Sequence, residues 1–329
     1  MKTLFSFQEV EQMIHDGKML LLGATDTLLA KLPKGNWIGG SIPYFMSERG
    51  GLYSDNEIYV DTVPSDAHIV SIINYDAASI PNVTADAPEN GLSIIIIPAF
   101  TEVHTEYAEN AIMYNNIFAK PITGWVAGTH VDEIGKTKPT VFNGKTGERL
   151  DDKAVVMHCE LPDGIQARLE IVNLFTQGAG DTLTFEKTGF AQTECFVNGV
   201  KSSFAEVMKK YNGDLRLPLV ADYYGAMINV CFANIDEATQ SVSMFAPVLK
   251  GVEYKLATPL SKPYDTAFNE LLATQQNASP VFSCNCILNY LYAELEGKKL
   301  TITGPMTFGE INYVLFNQTL VSATFERVG

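Results

Sequence analysis

The chain has 329 residues, 46% of them apolar and 19% charged, a balance that excludes a disordered chain and allows a sizeable core in two domains or two halves of one. A formal net charge of −15 works against nucleic acid, whose phosphates need clustered Lys and Arg, and against anionic membrane surfaces. The longest apolar run, around residues 94–97, is far short of the ~20 residues that span a bilayer.

The first residues turn polar too early for a secretory signal. Five cysteines at irregular spacing, Cys159, Cys195, Cys231, Cys284 and Cys286, do not form a secreted disulfide framework. A reduced cytoplasmic setting is the expectation.

Ser6 and Glu9 form a capping box, with Phe7, Val10, Met13 and Ile14 at helical spacing up to Gly17. A buried strand is expected over 19–22, a short helix capped by Asp26 up to Pro33, and a strand over 37–46. β-branched runs at 57–60, 68–74 and 93–97 predict further strands. A helix over 105–115 precedes the glycine-spaced strand 122–128, and His104 on that helix reads as a surface or satisfied core residue.

Asn143-Gly144 marks a hairpin turn. Strands at 154–159 and 166–175 flank the turn at Pro162-Asp163-Gly164, and a boundary falls near Gly178-Ala179-Gly180. Beyond it, strand 193–197 turns through Asn198-Gly199 to Ser203, which caps a helix with Glu206 three residues on. Strands at 227–233, 240–245 and 253–257, a helix at 264–274, then strand, helix and further strands complete the chain. Hairpins with interspersed helices predict an α+β fold: mixed or antiparallel sheets covered by helices, in two associated halves.

The closing residues carry the most specific pattern. Ser283-Cys284-Asn285-Cys286 is followed by Gly304-Pro305-Met306-Thr307-Phe308-Gly309-Glu310-Ile311 and then Phe316-Asn317-Gln318-Thr319. That order resembles the carboxy-terminal half of FIST domains: Ser-Cys, a helix, a strand, Thr-x-Gly-Glu-Ile and a terminal Asn-x-Thr. Trp37-Ile38-Gly39-Gly40-Ser41 and Thr123-Gly124-Trp125-Val126-Ala127-Gly128 resemble the family's glycine-containing strands. The stretch 195–207 and Arg216-Leu217-Pro218-Leu219 match its later strand, turn and helix.

The resemblance implies a FIST N-like half over 1–178 and a FIST C-like half over 179–329. It also implies a sensory protein that binds a small metabolite, such as an amino acid or related compound, in a pocket between the halves. A separate signalling protein would relay the output, and no cofactor or metal is implied. The ligand-binding residues it points to are Cys284, Thr307, Gly309, Glu310, Asn317 and Thr319, with Gly39, Gly40, Ser41 and Gly124. Ile287 stands where the family commonly has Arg three residues after the cysteine, so an anionic ligand group would need another cation.

Read as residues, Glu310 offers a carboxylate to an ammonium or amide, or fixes a turn through backbone N–H groups. Asn317 and Thr319 share a face if both lie on one strand. Cys284, placed where a strand enters a helix, is the best reactive thiol if the helix terminus favours its thiolate. A cysteine enzyme using Cys284 with His158 or His130 as base is the rival reading, and a structural or adaptor protein is a third. Cys284-x-Cys286 with His158-Cys159 is weak as a metal set because no second Cys pair follows. Nucleotide-binding, zinc-protease and nucleophile-elbow signatures are absent.

Overall fold

Strand residues outnumber helical ones by more than two to one, 43% against 18%, so the molecule is mixed α/β but mostly sheet. The computed structural model describes residues 2–211, 215–223, 226–274 and 280–328.

Three helices begin at side-chain caps; Asp26, expected to cap the short helix before Pro33, is instead the first residue of Asp26–Leu29, and the preceding Thr25 makes no capping bond. Ser6 accepts from the Glu9 N–H while the Glu9 carboxylate accepts from the Ser6 N–H, opening helix Phe7–His15. Thr101 opens Glu102–Asn110 by accepting from the His104 N–H, and Ser203 opens Phe204–Lys210 by accepting from Glu206. The third helix thus starts three residues before the sequence expectation and ends in a 3-10 turn at Ala111–Met113.

The single strand expected over 37–46 is two strands, Trp37–Ser41 and Tyr44–Ser47, in different sheets. Pro43 has no N–H to continue a ladder. The predicted Asn143-Gly144 and Asn198-Gly199 turns hold, by different means. Asn198 and Gly199 both take positive φ, 50° and 83°, as a tight hairpin requires. Asn143 instead accepts the Lys145 and Thr146 N–H groups with its side-chain oxygen.

Four six-stranded sheets and one three-stranded sheet make up the described architecture. Two of them draw strands from both sides of the expected boundary. In one, Glu310–Asn312 pairs with Ile122–Ala127, which runs parallel to Gly91–Pro98. In the other, Gly304–Thr307 pairs with Tyr44–Ser47 on one edge and with Phe282–Cys286 on the other, and Thr319–Arg327 pairs along its whole length with Ile165–Asn173. The largest core cluster likewise joins Ile95 and Val126 to Phe204, Val242 and Ile311. Trp125 stacks on Phe282 at 5.7 Å, packing one mixed sheet on the other. The closing segment is therefore stitched into the amino-terminal strands.

Candidate functional site

Glu310 opens its strand and is fully buried. Its carboxyl faces inward: Oε2 accepts from the Thr319 N–H at 3.2 Å and from the Thr319 hydroxyl at 2.9 Å, while Oε1 lies 3.4 Å from Thr307 Oγ1. Burial, which penalises the charged form, raises its pKa to about 8 despite those bonds. Glu310 is therefore largely a neutral acid at pH 7. Thr307 Oγ1 also faces the Asn285 and Gly309 carbonyls. The Thr307 hydroxyl is within donating reach of Glu310 Oε1 as well, while the Gly309 carbonyl also accepts the Val126 N–H.

The same buried cluster holds the thiols. Cys284 lies within strand Phe282–Cys286 and contacts the Gly124 carbonyl at 3.4 Å; the residue that immediately precedes the helix Ile287–Tyr292 is Cys286, which makes no side-chain capping bond. The expected position of Cys284 at a helix terminus is thus displaced by two residues. Burial pushes the Cys284, Cys286 and Cys231 thiols well above their usual value, and the neighbouring Glu310 adds to that rise. This is the opposite of the environment that prepares a nucleophile. His158 is held elsewhere, between Ser93 and the Tyr75 hydroxyl.

The glycine strands pack sheets together. A Cβ on Gly40 would lie 2.7 Å from Ile96 and 2.9 Å from Trp125 Nε1, and one on Gly124 would lie 1.8 Å from the Ile95 carbonyl oxygen. Gly39 backs onto Leu22 and Trp37, and Gly309 onto Leu315 and Val126. Ser41 accepts from the Thr140 N–H and donates to the Gly128 carbonyl.

Asn317 differs from all of these. It lies between strands Val314–Phe316 and Thr319–Arg327, not on a strand with Thr319. Gln318 takes a left-handed conformation, φ 51°, which breaks the alternation that would place the two side chains on one face. Thr319 turns to Glu310, whereas Asn317 lines a cleft of about 480 Å³. Asn317 is fully buried, and neither its Oδ1 nor its Nδ2 has a hydrogen-bond partner among the described residues.

Both halves of the chain build that cleft. His104 comes from the helix Glu102–Asn110, Phe190 and Met244 from paired strands, and Leu288 from the helix Ile287–Tyr292, with Phe308 beside Asn317. Phe100 sits on the rim with φ 64° and packs edge-on against Phe308 at 6.1 Å. A bulky side chain held in the left-handed region is a strained arrangement of the kind found at ligand sites.

His104 corrects the sequence reading as well. It is 7% exposed, its Nδ1 accepts the Phe100 N–H at 3.4 Å, and its Nε2 has no partner among the described residues. That geometry assigns the remaining ring proton to Nε2. Burial lowers its pKa to about 4, so the ring is neutral at pH 7. Nothing in the sequence marks His104, Phe190 or Met244 as neighbours, because they meet only through pairing of distant elements.

Of the residues singled out from sequence, Cys284, Thr307, Glu310 and Thr319 gather in the buried cluster and Asn317 reaches the cleft. Gly39, Gly40, Ser41 and Gly124 lie in the strand packing behind. No group of three or more His, Cys, Asp or Glu side chains among the described residues is arranged to hold a metal ion. No helix among them is long and apolar enough to cross a membrane.

A family of unknown function, DUF6976, matches residues 5–326. The chain belongs to that family. No curated protein matches it.

Proposed function

We propose that this chain is a sensory protein that binds a small metabolite in the cleft between its two halves, as the resemblance to FIST domains implies. The observation that carries this reading is the Asn317 carboxamide, buried against the cleft with both polar atoms unpartnered. Burying an amide without hydrogen bonds costs about 1–3 kcal/mol or more, a penalty that a ligand can relieve. The cleft volume also falls within the ~300–1,000 Å³ usual for small-molecule sites. Glu310 and Thr319 act behind it by fixing the segment that presents Asn317. A separate signalling protein would read the bound state, in a cytoplasmic setting that suits five unpaired cysteines.

Thermal-shift screening against a metabolite panel tests the reading, because a ligand that binds only the folded state raises its apparent stability. A hit is expected to vanish in Asn317→Ala and survive in Glu310→Gln, whose side chain keeps the buried hydrogen bonds. Loss of the hit in Glu310→Gln but not in Asn317→Ala would move recognition away from the cleft. A panel without hits, alongside turnover dependent on Cys284, would favour an enzyme.

A further inference from the structure

Resting on that reading, the geometry points to the chemical class of the ligand: an uncharged, ring-bearing amide. The cleft walls are apolar and aromatic, with Phe100, Phe190, Phe245 and Phe308 among the lining side chains. No Lys, Arg, Asp or Glu borders it among the described residues. A carboxylate or ammonium entering such a site would lose its hydration without gaining a counter-charge. A free amino acid, carrying both, is disfavoured relative to its uncharged amide derivatives.

Two buried residues with unpartnered polar atoms, Asn317 and His104, belong to the wall of this apolar volume. Asn317 leaves a carbonyl acceptor and an amide donor side by side, the complement of the donor and acceptor on a primary amide or lactam edge. His104 adds a donor at Nε2, because its Nδ1 is already used by Phe100. Burial keeps that ring neutral, so it does not replace the cation an anion would need. The aromatic walls would take a flat ring system by stacked or edge-on contact.

Three probes with one two-ring body separate the possibilities: 2-naphthamide, 2-naphthoate and 2-ethylnaphthalene. Each is titrated into the full-length protein at pH 7 while the methyl resonances of Met244 and Ile287, which line the cleft, are followed by NMR. The amide is expected to bind about tenfold or more tightly than either relative, one lacking the hydrogen bonds and the other bringing an unpaired charge. Asn317→Asp and His104→Phe are each expected to erase most of that advantage while leaving the hydrocarbon's affinity in place. Equal affinities across the probes, or preference for the naphthoate, overturn the assignment of the class while leaving the cleft as a binding site. Probes that move neither methyl up to their solubility limits overturn the cleft reading itself. The wild-type comparison stands even if a variant does not fold.

Discussion

Glu310 gives the residue scale its sharpest consequence, because a buried acid that stays protonated makes stability depend on pH. Its folded pKa is raised from 4.5 to about 8, so between these values the folded state keeps a proton that the unfolded state releases. Its contribution is fully present below the unfolded pKa and is lost as pH rises through the folded one. Glu310→Gln mimics the protonated form: the amide oxygen accepts from Thr319 and the amide nitrogen donates to Thr307. The melting temperature of the wild type is therefore expected to fall between pH 5 and 9, and that of the variant to fall less. The corresponding difference in unfolding free energy at pH 9 should be on the order of a few kcal/mol, at about 1.4 kcal/mol per pKa unit. Asp61, raised by burial to about 7, adds a decline of the same sign that persists in both proteins. Parallel pH profiles would show that Glu310 does not carry its proton across this range in the folded state. From sequence the residue was legible as a carboxylate at a special place, but its protonation was not, since that depends on burial by distant strands.

At the scale of elements, local chemistry was readable and pairing was not. The Ser6 and Ser203 caps and the Asn198-Gly199 turn are decided by residues within a few positions of one another, whereas the Thr101 cap, equally local, was missed and the helix expected three residues late. Strand partners are chosen by contacts across the chain, so the divergence of Asn317 from Thr319 had no local signal strong enough to read, whereas the split at Pro43 had one, the missing N–H, that the expectation of a single strand over 37–46 passed over. The glycine strands show the same limit. Glycine within a strand marks either close ligand approach or close packing, and the deciding atom at Gly124 is the Ile95 carbonyl, 1.8 Å from where a Cβ would stand. A backbone carbonyl in a central parallel pair cannot swing aside as a flexible side chain can. Gly124→Ala is expected to cost about 2 kcal/mol or more in denaturant unfolding, whereas Gly180→Ala, with open space around it, should stay within about 0.5 kcal/mol. Similar losses in both variants would mean that the Gly124 strand relaxes without strain.

On the scale of the whole molecule, a boundary near residue 178 was a reasonable reading of turn-rich sequence, and it places the cleft walls on two sides of the chain. What composition could not reveal is that the closing strands leave their own half. Glu310–Asn312 covers the edge of Ile122–Ala127, and Gly304–Thr307 covers Tyr44–Ser47. Cutting the chain at 178 would expose both of those edges, together with the apolar face that Phe282 and Val321 share with Trp125 and Ile94. Unpaired strand edges beside apolar surface favour association over folding. A fragment of residues 1–178 expressed alone is therefore expected to lack a cooperative thermal transition and to aggregate, while mixing it with 179–329 during refolding restores part of the native signal. The intact chain should melt in one calorimetric transition, because the shared sheets couple the halves. Two separable transitions, or a well-dispersed NMR spectrum from the isolated fragment, would show that each half carries its own stability. Ligand binding between the halves would then depend on a docked interface and not on strands common to both.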